Sequence, residues 1–119
     1  MFRIIIAGSR NFNNYELLKE KCDYYLKNKQ ADEVIIVSGT ARGADQLGER
    51  YARERGLQIE SYPANWTKYG KRAGYLRNQE MANVADGLIA FWDGKSRGTK
   101  HMIDIMNEKD VNCVRIVEF

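Results

Sequence analysis

The sequence is short of the residues that build metal centres and disulfide frameworks. It carries two cysteines and one histidine in 119 residues. Cys22 and Cys113 stand far apart, with neither the paired spacing of a zinc site nor a redox Cys-x-x-Cys, so they read as buried or half-buried thiols. His101 alone cannot form a histidine cluster. No metal and no other cofactor is expected. Long apolar runs are also missing, as is the charged, apolar and small-residue succession of a secretory leader, which makes a cytoplasmic protein without membrane contact the expectation. No low-complexity tract interrupts the chain. With 44% hydrophobic and 29% charged residues the composition is that of an ordinary globular protein. The formal net charge of +3 is too small to argue for nucleic acid, so the placement of charge matters more than its sum. Residues 1–119 suffice for a single domain with one core.

What is present is an alternation. Phe2-Arg3-Ile4-Ile5-Ile6-Ala7, Glu33-Val34-Ile35-Ile36-Val37 and Leu88-Ile89-Ala90-Phe91-Trp92 are near-continuous apolar runs, the pattern of strands buried on both faces of a parallel sheet. Leu57-Gln58-Ile59-Glu60-Ser61-Tyr62 and Cys113-Val114-Arg115-Ile116-Val117 admit polar residues, as edge strands do. Between them lie helical patterns. Tyr15, Leu18, Cys22 and Tyr25 or Leu26 form one apolar stripe; Ala44, Leu47, Tyr51 and Ala52 form a second. A third helix is predicted from about Ala73 to Ala85, and a fourth places Thr99, Met102, Ile103 and Met106 on one side. Such alternation predicts right-handed crossovers and an α/β, Rossmann-like three-layer sandwich around a five-stranded, mainly parallel sheet. With the third and fifth strands as edges the strand order is 3-2-1-4-5.

In that order the ligand crevice lies at the carboxyl ends of the strands, between the first and fourth. The loops there are unusual. They read Gly8-Ser9-Arg10-Asn11-Phe12 after the first strand, Ser38 to Asp45 after the second, Pro63 to Arg72 after the third and Asp93 to Thr99 after the fourth. The connections at the other rim are ordinary helix stops and turns. Glycine lets backbone N–H groups approach an anion, and a helix N-terminus adds unpaired donors. Gly39, Thr40 and Gly43, and likewise Gly94, Ser96, Gly98 and Thr99, are therefore candidate anion cradles. Arg10, Arg42, Lys71, Arg72 and Arg97 supply neutralising charge. Any one of these glycines is equally a turn residue, and any one arginine a solvated charge. Their convergence on one switch point favours a binding site. Gly39-x-x-x-Gly43 is not a Walker A loop, because no Gly-Lys-Ser/Thr follows, and no Gly-x-Gly-x-x-Gly follows the first strand. A P-loop ATPase and a standard dinucleotide enzyme are thus disfavoured.

Arg77, Met81 and Ala85 recur at i, i+4 and i+8, so Arg77 shares a face with residues that pack on the sheet and aims into the crevice; the alternative is a rim arginine covering apolar surface with its stem. Asn78 is a candidate partner for a ribose or base edge. Among Trp66, Tyr69, Tyr75 and Trp92, any could stack a base, though Trp92 ends an apolar strand and reads as packing. Asp45 and Asp93 are the carboxylates nearest the crevice and the candidate catalytic groups. Asp45 serves equally well as an acidic residue at a helix start.

Four stretches, GSRNF, VSGTARGAD, PANWTKYGKRAGYLRNQEM and ADGLIAFWDGKSRGT, together resemble the YspA-like branch of the SLOG superfamily, the Rossmann-like group that also holds the LOG phosphoribohydrolases and DprA. The resemblance covers nearly the whole chain. It implies a nucleotide or nucleotide-derived small molecule at the loops named above, and relatives with this fold often self-associate, which leaves a homo-oligomer open. Two departures limit what carries over. Thr40 stands where the branch usually has the second glycine of a pair, so a turn requiring positive φ would be strained there. The chain matches LOG enzymes at Arg77 and Met81 and at Gly98 and Thr99, but has Met102 where their glutamate is expected. Cleaving an N-glycosidic bond builds positive charge on the ribose that a carboxylate stabilises, and methionine cannot do this. The leading expectation is a protein that binds, senses or processes a nucleotide-type ligand. The alternative is a nucleotide N-glycosidic hydrolase using Asp45 or Asp93. A DprA-like single-strand DNA binder is the weakest reading, since the basic residues ring a crevice rather than a groove with successive stacking platforms.

Overall fold

A computed structural model describes residues 1–119. Its elements in chain order are β1 (Phe2–Gly8), α1 (Tyr15–Tyr25), β2 (Val34–Ser38), α2 (Ala44–Arg55), β3 (Gln58–Ser61), α3 (Trp66–Tyr69), α4 (Ala73–Val84), β4 (Gly87–Trp92), α5 (Arg97–Asp110) and β5 (Val114–Glu118). The strands form one sheet in the order β3-β2-β1-β4-β5, every neighbouring pair parallel. The sheet is therefore wholly parallel, and the order is the one the edge-strand polarity predicts.

Successive side chains of a strand point to opposite faces, and this divides the core in two. Ile4, Ile6, Ile36, Ile89 and Phe91 pack with Leu18, Cys22, Tyr51 and Ala52 of α1 and α2. Ile5, Ala7, Val37, Leu88 and Ala90 pack with Met81, Ala82, Met102, Ile103 and Met106 of α4 and α5. A helix layer on each face explains why the central strands are unbroken apolar runs, and each fully buried Ile, Leu or Phe contributes about 1.5–3 kcal/mol. On the β3 edge the polar residues stay in use, as Glu60 takes paired hydrogen bonds from Arg3 at 3.0–3.1 Å.

The helix ends are fixed by local chemistry. Asn14 caps α1 by accepting from Leu17 N, and Gly56 in the left-handed region ends α2. The C-terminus of α4 has an unusual cap. Lys109 of α5 donates from Nζ to the carbonyls of Ala82 and Ala85, both at 2.6 Å.

One element differs from the sequence expectation. The stretch after β3 reads as a loop, yet it winds one helical turn, α3. Asn65 caps it by accepting from Lys68 N at 3.0 Å, and Gly70 at φ +58° stops it. A single capped turn has no repeating apolar face, so it leaves no periodic signal. No helix is long and apolar enough to cross a membrane.

Candidate functional site

The four loops meet at the carboxyl ends of β1 and β4, around a crevice of about 210 Å³. Gly8 and Arg10 come from the β1 loop, Ala41 and Asp45 from the β2 loop and α2, and Ser96, Gly98, Thr99 and Met102 from the β4 loop and α5. Trp66, Lys71, Gly74, Tyr75, Arg77, Asn78 and Met81 form the wall from α3 through α4. A second hollow of about 390 Å³ adjoins it, shares Arg10, Ala41, Trp66 and Arg77, and adds Gly39, Thr40 and Arg42. Of the residues singled out in the sequence, Ser9, Ser38, Gly43, Tyr69, Arg72, Trp92, Asp93, Gly94 and Arg97 line neither hollow.

The β2 loop is held from below. Ser38, fully buried, donates its hydroxyl to Glu49 Oε2 at 2.6 Å and accepts from Thr40 N at 3.1 Å. Thr40 adopts φ +63°, the only positive φ outside glycine. A β-branched residue in that region is strained, which is the consequence expected of replacing a glycine there. Gly43 has φ +80°, and a Cβ on it would stand 2.4 Å from Ser9 O. The β1 and β2 loops can touch only because that side chain is missing. Ser9 O accepts from Ala44 N at this contact.

Asp45 begins α2 but turns its carboxylate inward, where Oδ2 accepts from Ala41 N at 3.2 Å. It is 5% exposed. Burial raises its pKa to about 6, opposed by the Ala41 hydrogen bond and the charge of Arg77. Asp93 has the opposite environment. Its Oδ1 accepts from Lys95 N and Ser96 N, both at 2.9 Å, and these bonds hold its carboxyl below the usual range. Asp93 thereby shapes the turn into α5, and its own N–H donates to Ser9 Oγ. Asp45 is the sole carboxylate of the crevice lining.

Arg77 sits between the two hollows. Its Nη1 donates to Gly39 O across a very short hydrogen bond, and its Nε donates to Asn78 Oδ1 at 3.0 Å. Burial and the nearby Arg10 lower its pKa while Asp45 raises it, and the guanidinium stays charged at neutral pH. The ion pairs of the molecule join Arg3 to Glu60, Arg50 to Glu54, Arg53 to Glu49, Arg55 to Asp23 and Lys100 to Asp104. None of them engages Arg77, Arg10, Arg42 or Lys71. The cations paired with carboxylates thus lie away from the crevice, while those around it have no carboxylate within 4.0 Å.

Sequence reasoning missed two supporting residues. Glu49 anchors Ser38, and His101 contacts Asn78 at 3.2 Å. Glu49 and His101 sit one helical turn beyond residues that were singled out, Asp45 and Gly98, so helical spacing was the available signal. Trp92, read as packing, is half-buried and donates from Nε1 to Ser96 O. Trp66 and Tyr75 line the crevice, and Tyr69 does not. No three His, Cys, Asp or Glu side chains come together as a metal site.

A parallel sheet of order 3-2-1-4-5 with its polar loops gathered at the reversal point defines a Rossmann-like α/β domain. The chain belongs to the YspA, cpYpsA-related SLOG family, whose model matches residues 2–69. That match ends at α3, before Arg77. The gene 61 protein of Mycobacterium phage D29 is similar over the full length, 36% identical over 125 residues, covering 100% of this chain and 97% of that protein. No solved structure matches the chain.

Proposed function

We propose that the protein binds a nucleotide or nucleotide-derived phosphate ligand in the crevice between β1 and β4. The observation that carries this reading is the state of Arg77. A guanidinium has five N–H donors. Two are engaged by Gly39 O and Asn78 Oδ1, no carboxylate is within ion-pair distance, and the group borders both hollows. A half-buried guanidinium with free donors and no direct ion pair is suited to an arriving anion, and a phosphate satisfies the fork in two places. Arg10 and Lys71 stand on the same lining, and Trp66 and Tyr75 offer ring faces for a base. Membership of the SLOG family agrees with a ligand of this class. Calorimetry of the folded protein against nucleoside mono- and diphosphates and cyclic and ADP-ribose-type nucleotides tests the reading. Absence of heat with every member overturns it.

A second reading, hydrolysis of a nucleotide N-glycosidic bond, is favoured by Asp45 alone. It is the carboxylate that faces the crevice, and its pKa of about 6 leaves it mainly ionised at neutral pH. A carboxylate there would stabilise positive charge on the ribose. Met102, which stands where LOG enzymes are expected to have a glutamate, lies on the same lining, so Asp45 would act without that second acid. Chromatographic detection of free base from nucleoside monophosphates decides the matter, and turnover that survives Asp45→Asn sinks the assignment.

A further inference from the structure

The wall behind Arg77 contains a chain of hydrogen bonds whose direction is fixed by chemistry. Arginine only donates, so its Nε–H requires the oxygen of the Asn78 amide to face it, at 3.0 Å. The amide nitrogen must then face α5. There it donates to Gly98 O at 3.1 Å and meets His101 Nδ1 at 3.2 Å. An amide N–H bonds to a ring nitrogen only where that nitrogen keeps its lone pair. His101 is therefore neutral, with its proton on Nε2. Tyr75 packs edge-on to the imidazole with centroids 4.7 Å apart, which limits its rotation.

We propose that His101 is a positioning residue for anion binding: unprotonated, it holds Asn78, and through Asn78 the Arg77 guanidinium, in the receiving orientation, and its protonation releases Arg77. The proposal rests on the crevice being an anion site. A proton on Nδ1 would point at the amide N–H. Either the amide retreats, or it turns over and presents its nitrogen to the Arg77 Nε–H. In both cases the Nε hydrogen bond is lost and Arg77 keeps only Gly39 O.

The groups around His101 set the direction of the effect. Asp104, itself paired with Lys100, favours the protonated ring, and burial, the larger influence, disfavours it and holds the pKa below its ordinary value. Tyr75 and, through Asn78, Arg77 face it from α4. Asp45 also titrates near Arg77, with the opposite sign: its neutralisation on acidification removes a negative charge and strengthens anion binding. The two effects are therefore separable.

The test uses the intact protein and the His101→Gln variant, which does not titrate. Nitrogen-15 NMR follows Arg77 Nε and the Asn78 side-chain amide from about pH 8 to about pH 5, the interval in which histidine titrates. Sulfate, whose charge is constant there, serves as the anion probe by chemical-shift titration. The expected result is an Arg77 Nε resonance that moves with the His101 titration in the native protein and loses that component in the variant. Sulfate affinity, relative to the variant, falls about tenfold as His101 protonates, the scale of one hydrogen bond to a charged group. An Arg77 Nε signal indifferent to His101, or identical pH profiles in the two proteins, overturns the proposal. If sulfate binds neither protein while Arg77 Nε still follows His101, the coupling stands and the anion-site reading falls.

Discussion

Gly39 and Arg77, 38 residues apart in the chain, are joined by a hydrogen bond from Nη1 to the glycine carbonyl. The contact is as close as it is because Gly39 has no side chain. A Cβ there would stand 2.6 Å from Arg77 Nη1 and 2.8 Å from Asp45 Oδ2. The β2 loop, the buried acid and the crevice arginine are thus packed around one missing methyl group.

Gly39→Ala therefore displaces both charged groups. The backbone of Gly39 is not in the left-handed region, so the effect is steric rather than conformational. Overpacking of this kind costs about 1–3 kcal/mol. Urea denaturation should show that loss, and calorimetry should show weaker ligand binding in the protein that remains folded.

Arg77→Lys keeps the positive charge but removes the planar fork. Lysine cannot donate to Gly39 O, Asn78 Oδ1 and a phosphate together. Affinity for the best ligand of the nucleotide panel should fall about tenfold to a hundredfold, the worth of hydrogen bonds to a charged group. Unchanged affinity, with circular dichroism showing a native fold, would remove Arg77 from the site.

Asp45 makes the stability of the protein depend on pH. Its pKa rises from 3.8 unfolded to about 6 folded, so in that interval the folded state holds more protons than the unfolded one. Stability from this group is greatest below 3.8 and declines as pH rises through about 6. Keeping the carboxylate ionised above that point costs roughly 3 kcal/mol at most. Asp45→Asn should be more stable than the native protein at neutral pH and should lack this component of the pH slope. Chemical denaturation across the interval measures both.

Thr40→Gly relieves the positive φ of a β-branched residue. The left-handed region costs such a residue about 1–2 kcal/mol, and the added freedom of glycine in the unfolded chain returns part of it. A net gain of about 0.5–1 kcal/mol in thermal or urea unfolding is expected. A loss would mean that the threonine side chain contributes more to the loop than its backbone angle costs.

The fold was legible where burial on two faces leaves no choice of residue. Ile4 to Ala7 supply both cores alternately, and a run of that kind has no exposed position for a polar side chain. Gln58 and Glu60 marked β3 as an edge for the complementary reason. Much of the crevice was legible as well, since Arg10, Arg77, Gly98 and Thr99 all reach its lining. Small polar residues were harder. Ser9, Ser38 and Asp93 each bond to other parts of the protein, and a serine or aspartate that shapes a turn looks in sequence like one that touches a ligand. What separates them is the partner in space, and Glu49 and His101 lie 11 and 23 residues from theirs, Ser38 and Asn78.

The cap that Lys109 places on α4 acts at the far end of that helix from the crevice. Asn78, midway along α4, fastens it to Gly98 at the start of α5. The two helices are therefore tied at two levels along their shared length, one beside the crevice and one remote from it. The opposing loops of β1 and β2 are stitched to each other through Ser9 and Ala44. The remaining wall is the stretch from Asn65 to Arg72, exposed throughout, which brings Trp66 and Lys71 to the crevice from outside these ties.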